Sequence, residues 1–113
     1  MSSITTPATA WTLLLIAGLL EIVWSTSMKA SEGFSNHLYS GLTLAAAWLS
    51  FWLLGLAIKS LPLGTAYAVW TGIGAVGAAI LGMVLFKEPA TAARILCIVA
   101  IVGGILGLKL LHK

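Results

Sequence analysis

Long apolar runs, broken by short polar stretches, make up most of this chain. The clearest of them, over residues 38–58, carries no charged side chain. A helix needs about 20 apolar residues to cross the hydrocarbon core of a bilayer. The pattern therefore predicts an all-α membrane protein in which residues 1–113 form a single transmembrane domain. Its four predicted transmembrane helices cover residues 7–28, 37–58, 64–86 and 91–111.

Polar residues and prolines mark the expected ends of these helices. Thr6 is placed to cap the first helix, with Pro7 in the first turn, where a missing backbone N–H costs nothing. Ser35 or Asn36 can cap the second helix in the same way. Lys29 closes the first helix and is long enough to reach the membrane interface. The polar stretches are thus predicted to be short loops at the two membrane surfaces.

Composition agrees with this pattern. Hydrophobic residues make up 60% of the chain and charged residues 8%, whereas soluble domains have about 25% charged residues. There are too few charges to cover a water-facing surface, so a water-soluble domain is excluded. The net charge of +3 comes from scattered basic residues near helix ends, which gives no indication of a nucleic-acid partner. The expected partners are the lipid bilayer, small cations and a second copy of the chain.

Glu21 is the exception within the first apolar run, because it is the one charged side chain between residues 8 and 28. An ionisable group near the middle of a membrane helix costs about 2.5–3.5 kcal/mol on insertion scales, so a function is the default expectation. The alternative is a polar contact that only holds helices together. Gly18, Trp24 and Ser25 lie three or four residues from Glu21 and therefore share its face of the helix.

Other helices offer side chains that suit a cation beside this carboxylate. Ser50 comes from the second helix, and Tyr67 and Trp70 lie one turn apart in the third. A carboxylate among aromatic rings attracts an organic cation by charge, with about 0.5–2 kcal/mol from each favourable cation–π contact. The alternative for the aromatic residues is a belt at the membrane interface, which suits Trp11. Since one carboxylate cannot hold a proton and a cation together, the site predicts antiport of the two.

Glycines indicate a hinge and a contact between chains. Gly72 and Gly74 weaken the third helix near its middle, each by about 0.5–1 kcal/mol relative to Ala, which predicts a bend. Close helix packing is the alternative. Gly103, Gly104 and Gly107 include a GxxxG pair in the fourth helix and are the predicted dimer contact.

Charge is balanced between the two predicted membrane faces. With four spans, one face holds three basic residues and so does the other: Lys59, Lys109 and Lys113 against Lys29, Lys87 and Arg94. Orientation normally follows an excess of Lys and Arg in the cytoplasmic loops. The tie predicts insertion in both orientations, and hence an antiparallel homodimer that brings two Glu21 side chains to one central site.

The residues also resemble those of the small multidrug resistance family, over almost the whole chain from Trp11 to Lys109. The motifs that match are AGLLEIVW at 17–24, LPLGTAYAVWTGIGAVG at 61–77 and GLK at 107–109. The resemblance implies a proton-coupled exporter of four helices that works as an antiparallel dimer, most often in a bacterial inner membrane. It implies that Glu21 binds both proton and substrate and that Gly72 and Gly74 mark a bend. The residues expected to line the site are Gly18, Trp24, Ser25, Ser50, Tyr67 and Trp70.

Two types of exporter within that family leave the substrate open. Trp24, one turn after the acid, and Thr71 in the third helix both resemble the guanidinium exporters, which implies export of guanidinium and of small alkyl-guanidinium cations. The alternative is a broader exporter of quaternary ammonium compounds. A third hypothesis is a scaffold that transports nothing.

An enzyme is not expected, because the sequence contains no nucleophile–base or metal-ligand spacing, and neither a cofactor nor a metal is predicted.

Overall fold

Four α-helices make up a computed structural model of the chain, which describes residues 7–111. They are 24, 21, 23 and 20 residues long, and each is long and apolar enough to cross a membrane. The prediction of an all-α, four-span membrane protein is therefore confirmed. The predicted cap at Thr6 lies outside the described residues. In chain order the helices are α1 (Pro7–Ala30), α2 (His37–Ala57), α3 (Leu63–Leu85) and α4 (Ala92–Leu111).

The loop between α1 and α2 reverses the chain within a few residues. Asn36 caps α2, since its side-chain oxygen accepts a hydrogen bond from the Tyr39 backbone N–H at 3.2 Å. Of the two predicted caps, the chain thus uses Asn36. Ser35 instead donates its hydroxyl to the carbonyl oxygens of Ser31 and Glu32, at 3.1 and 3.0 Å. Glu32, Gly33 and Phe34 all adopt the left-handed backbone conformation, with φ of 52°, 74° and 67°, and Gly33 is the one of the three that adopts it without steric cost.

Helix α1 lies at the centre of the fold. It packs against both α2 and α3, and α4 packs against α3. The buried side chains of Leu14 and Ala17 on α1 meet Val69 and Trp70 on α3 in the main apolar cluster. The chain measures 42 × 36 × 16 Å, so it is little thicker than one helix with its side chains, about 10–12 Å. Four helices in so thin a layer cannot enclose a central cavity by themselves.

Small residues let α1 and α3 approach closely. A Cβ added to Gly18 would lie 2.7 Å from Ile73 Cγ2, and one added to Gly77 would overlap the side chain of Ile22. The contacts advance in the same direction along both helices, from Gly18 and Ile73 to Ile22 and Gly77. Helices α1 and α3 therefore run parallel, as the first and third spans of a chain that crosses the membrane alternately.

Helix α3 is continuous from Leu63 to Leu85. Gly72 and Gly74 both lie within it and are buried. A Cβ on Gly72 would lie 2.8 Å from Ile105 Cδ1 of α4, so Gly72 sets the approach of α4. Close packing, the alternative considered for these glycines, thus applies to both, and the bend at this point stays a prediction.

Gly18→Ala is expected to destabilise the protein. The new methyl group would lie 2.8 Å from Ile73 Cβ, an atom next to the backbone that cannot swing away. Forcing the two helices apart should lower the free energy of unfolding by about 1–3 kcal/mol. Thermal unfolding in detergent measures the change. Gly41→Ala is the matched control, because a Cβ there meets nothing within 4 Å. Equal melting temperatures for the two variants would contradict the prediction.

Candidate functional site

Glu21 lies in the middle of α1 with its carboxyl group turned towards α3. A Cβ on Gly74 would overlap that carboxyl group, so only glycine leaves it room there. The Oε1 atom is buried and has no hydrogen-bond partner among the described residues. A buried acceptor without a partner costs about 1–3 kcal/mol, and more for a charged group. The Oε1 atom can therefore accept a ligand that supplies a proton or a positive charge.

Ser50 connects the three helices around the site. Its hydroxyl donates a hydrogen bond to the carbonyl oxygen of Ala17 on α1 at 2.7 Å. It accepts one from the Trp70 Nε1–H of α3 at 2.9 Å. Both bonds are buried, and Ala17 lies one turn before Glu21 on α1. Ser50 thus fixes the indole of Trp70 against α1, about one turn before Glu21.

Aromatic rings pack on both sides of Trp70. The Phe51 ring lies 5.6 Å from that of Trp70 and 6.3 Å from that of Trp24. On the other side, the Tyr67 ring lies 5.4 Å from Trp70. Trp70 is 6% exposed and Tyr67 54% exposed, so the group runs from the protein interior to an open face. We call Trp24, Phe51, Tyr67 and Trp70 the aromatic group.

The sequence analysis missed Phe51, which joins Trp24 to Trp70. Two tryptophans also lie close to Ser50 in the sequence. Trp48 and Trp52 stack on each other, with ring centroids 6.0 Å apart, and are more than half exposed. Residues advance by about 100° around a helix, so Phe51 is the aromatic neighbour nearest to the Ser50 face. The helical periodicity was therefore the signal in the sequence from which Phe51 could have been identified.

The remaining residues singled out in the sequence are Gly18, Ser25 and Thr71. Gly18 faces Ile73 and not open space, so it sets the distance between α1 and α3. Ser25 is half-buried, and its hydroxyl donates to the Ile22 carbonyl oxygen at 3.1 Å. Thr71 is exposed. That Gly18 and Ser25 line a substrate site stays a prediction.

Helix α4 leaves its predicted contact face open. A Cβ added to any of its three glycines would meet nothing within 4 Å in this chain. None of the residues of α4 is buried. The glycines are Gly103, Gly104 and Gly107.

The chemistry of the site suits a small organic cation. A carboxyl group offers acceptor atoms, and the aromatic group offers ring faces that attract positive charge. Trp24 Nε1 is a second buried polar atom without a partner within residues 7–111, and it belongs to the same face of α1 as Glu21. Across the same residues, no group of three or more His, Cys, Asp or Glu is placed to hold a metal ion. The site therefore offers one acidic group and aromatic walls.

Known proteins resemble this chain over most of its length. A guanidinium exporter of Yersinia pseudotuberculosis is 59% identical over 101 residues, which are 89% of this chain and 97% of the relative. Guanidinium exporters of Salmonella typhimurium and Citrobacter freundii are 55% and 54% identical, over 89% of this chain and 96% of each relative. These relatives are named as transporters and not as enzymes, in agreement with the sequence analysis. The Small Multidrug Resistance protein family model matches residues 9–101, and the chain therefore belongs to this family of multi-pass membrane proteins.

Proposed function

We propose that this protein exports guanidinium, and small alkyl-guanidinium cations, in exchange for protons. It acts as an antiparallel homodimer in the inner membrane of a bacterium. The observation that carries the proposal is the carboxyl group of Glu21, whose Oε1 atom is buried without a hydrogen-bond partner. The names and bacterial sources of the relatives support the choice of cargo and membrane.

Guanidinium matches this carboxylate better than other cations do. It is planar, and its N–H groups form a fork that can donate two parallel hydrogen bonds to one carboxylate. Such charge-assisted bonds are roughly twice as strong as neutral ones. A planar guanidinium ion can also stack on the face of an aromatic ring. A tetraalkylammonium ion has no N–H donor and is bulkier in every direction.

Competition between a proton and guanidinium for Glu21 couples the transport of the two. A protonated carboxyl group has no charge to pair with guanidinium, and a carboxylate paired with guanidinium has lost its proton. Binding of one ligand therefore releases the other. Alternating exposure of the site to the two membrane faces turns this competition into antiport, and the proposed bend of α3 at Gly72 and Gly74 provides the motion. Gly18, Trp24, Ser25, Ser50, Tyr67 and Trp70 are the proposed lining.

A second copy of the chain is needed to close the site. The protomer is 16 Å thick, and Tyr67 of the aromatic group is more than half exposed. Two copies supply eight helices and two Glu21 carboxyl groups, with Gly103, Gly104 and Gly107 as the proposed contact. The balance of three basic residues on each face favours opposite orientations of the two copies.

Electrophysiology on solid-supported membranes tests the proposal. Purified protein in liposomes is exposed to guanidinium, methylguanidinium and tetramethylammonium over a series of pH values. Because the two Glu21 carboxyl groups of the proposed dimer release two protons for one cation, the exchange moves net charge. We therefore expect currents with the two guanidinium ions and none with tetramethylammonium. Larger currents with tetramethylammonium would indicate a quaternary ammonium exporter instead. Failure of guanidinium to displace protons at any mildly alkaline pH would overturn the coupling.

A further inference from the structure

A groove with a volume of about 290 Å³ runs between α1, α3 and α4. It includes Thr12, which lies nine residues before Glu21 and therefore, at about 100° per residue, on the opposite side of α1. Leu15, also in the groove, is 51% exposed, so the groove is open to the surrounding bilayer and separate from the proposed transport site. We call it the outer groove. Its other lining residues are Trp11, Val69, Ile73, Ile105 and Lys109.

The outer groove reaches about as deep as one leaflet of a bilayer. Trp11 and Lys109 lie at its mouth, since α1 begins and α4 ends at the same face of the chain. Ile73 lies at its deep end, ten residues after Leu63, where α3 begins. At a rise of about 1.5 Å per residue, this is a depth of about 15 Å. The hydrocarbon core of a bilayer is about 30 Å thick, so the groove follows an acyl chain to about the middle of the membrane.

A positive charge lies at the mouth of the outer groove. The Lys109 Nζ atom is 5.2 Å from the centroid of the Trp11 ring, a contact that holds the ammonium group over the entrance. Tryptophan is enriched at membrane interfaces, where its ring lies at the level of the lipid headgroups. An ammonium group has three N–H donors, so donors remain for a phosphate oxygen. Because lipid tails are as apolar as the groove itself, this charge is what can select one lipid over another.

Acidic side chains of the protein lie too far away to balance that charge. The sequence contains three of them, and the structure describes all three. Glu21 lies in the middle of α1, whereas Glu32 and Glu88 lie in the loops at the opposite face. There Arg94 pairs with Glu88 at 3.3 Å. The face at which α1 begins therefore has basic side chains without acidic ones, and the headgroup of an anionic lipid can balance them.

The proposed dimer leaves the outer groove open. Lys109 follows Gly103, Gly104 and Gly107 by six, five and two residues. At about 100° per residue, these offsets place Lys109 about 120–160° around α4 from each glycine. A second copy that packs on the glycines does not cover the mouth of the groove. Two antiparallel copies present their grooves to opposite leaflets.

We infer that the outer groove binds an anionic phospholipid, with one acyl chain between α1, α3 and α4 and the headgroup phosphate paired with Lys109. The charge of this lipid follows from the ammonium group without an acidic partner, and its acyl chain from the apolar walls and their depth. Since α4 packs against α3, the lipid also supports α4 from the side of α1. In the proposed dimer, one such lipid lies in each leaflet.

Native mass spectrometry of the purified protein tests the inference by counting retained lipids. The protein in detergent is given equal amounts of phosphatidylglycerol and phosphatidylcholine with the same acyl chains. We expect one phosphatidylglycerol per chain and about fivefold preference for it, since a basic residue beside anionic lipid contributes about 1 kcal/mol. Glycerol 3-phosphate has the phosphate but no acyl chain, so an excess of it should not displace the lipid. Displacement would indicate a site for free phosphate and overturn the inference.

Lys109→Gln tests the charge at the mouth of the outer groove. Retention of the two lipids should become about equal in this variant, whereas Lys109→Arg should keep the preference. Lys59→Gln is the matched control, because Lys59 is exposed in the α2–α3 turn at the same face but does not line the groove. A preference that survives Lys109→Gln, or that falls equally in Lys59→Gln, would overturn the inference.

Leu15→Trp tests the place of the acyl chain. The larger side chain fills the outer groove and should lower the amount of retained phosphatidylglycerol at least tenfold. Leu19→Trp adds the same volume one turn further along α1, where Leu19 is 49% exposed and lies outside the groove, so this variant should retain the lipid. Equal retention in the two variants would show that the groove holds no acyl chain.

Discussion

Glu21→Gln is expected to abolish guanidinium-dependent proton release and to weaken guanidinium binding at least a hundredfold. The amide has nearly the same shape, but it carries no charge and cannot release a proton. Hydrogen bonds to charged groups contribute about 1.5–3 kcal/mol each, and the loss of two charge-assisted bonds amounts to about 3–6 kcal/mol. Isothermal titration of detergent-solubilised protein with guanidinium, in buffers of different ionisation enthalpy, measures both binding and released protons.

Glu32→Gln is the matched control for that experiment. Glu32 carries the same charge but lies exposed in the loop between α1 and α2, outside the proposed site. Binding and proton release should be unchanged in this variant. If Glu21→Gln instead kept guanidinium affinity and proton release, the carboxyl group would be no more than a contact between helices. The scaffold hypothesis would then replace the exporter.

Gly104→Leu is expected to separate the dimer into protomers. Gly104 lies on α4, where a Cβ meets nothing within 4 Å in its own chain. The Cβ of a leucine there meets no atom of its own chain, and the larger side chain prevents close approach of a second helix, which depends on small residues in membranes. Single-molecule photobleaching of labelled protein in lipid bilayers counts the copies per complex. We expect one step in most complexes of the variant and two in the unaltered protein.

Gly55→Leu provides the comparison for the dimer experiment. Gly55 is exposed on α2, and a Cβ added to it also meets nothing within 4 Å. The variant adds the same volume to a different face, so it should remain dimeric. A dimer that survives Gly104→Leu but dissociates with Gly55→Leu would move the contact from α4 to α2.

Much of the fold could be predicted from the sequence because hydropathy alone defines four spans. The uncharged run over residues 38–58 and the polar loop before it located α2 and limited its cap to Ser35 or Asn36, of which the chain uses Asn36. Glu21 was identifiable because a lone acid in an apolar run is costly. These features depend on the order of residues along one helix and on the solvent around it, both of which a sequence contains.

Contacts between helices were harder to predict, because they depend on how each helix is rotated about its axis. Ser50 was expected near the carboxyl group, but its acceptor is the Ala17 carbonyl oxygen, a backbone atom that every residue type carries. Phe51 was overlooked beside two tryptophans that turn outward. Gly18 was predicted from its place on the Glu21 face, but its close contact with the side chain of Ile73 could not be predicted from the sequence.

The isolation of α4 has a consequence for how the proposed exporter diversifies. Its residues are all at least partly exposed, and the acid, the serine and the aromatic group belong to the other three helices. Mutations on the outer side of α4 can therefore change which copies associate without altering what is carried. After a gene duplication, two daughter chains could become mutually dependent partners through this helix alone, while both retained the ancestral cargo.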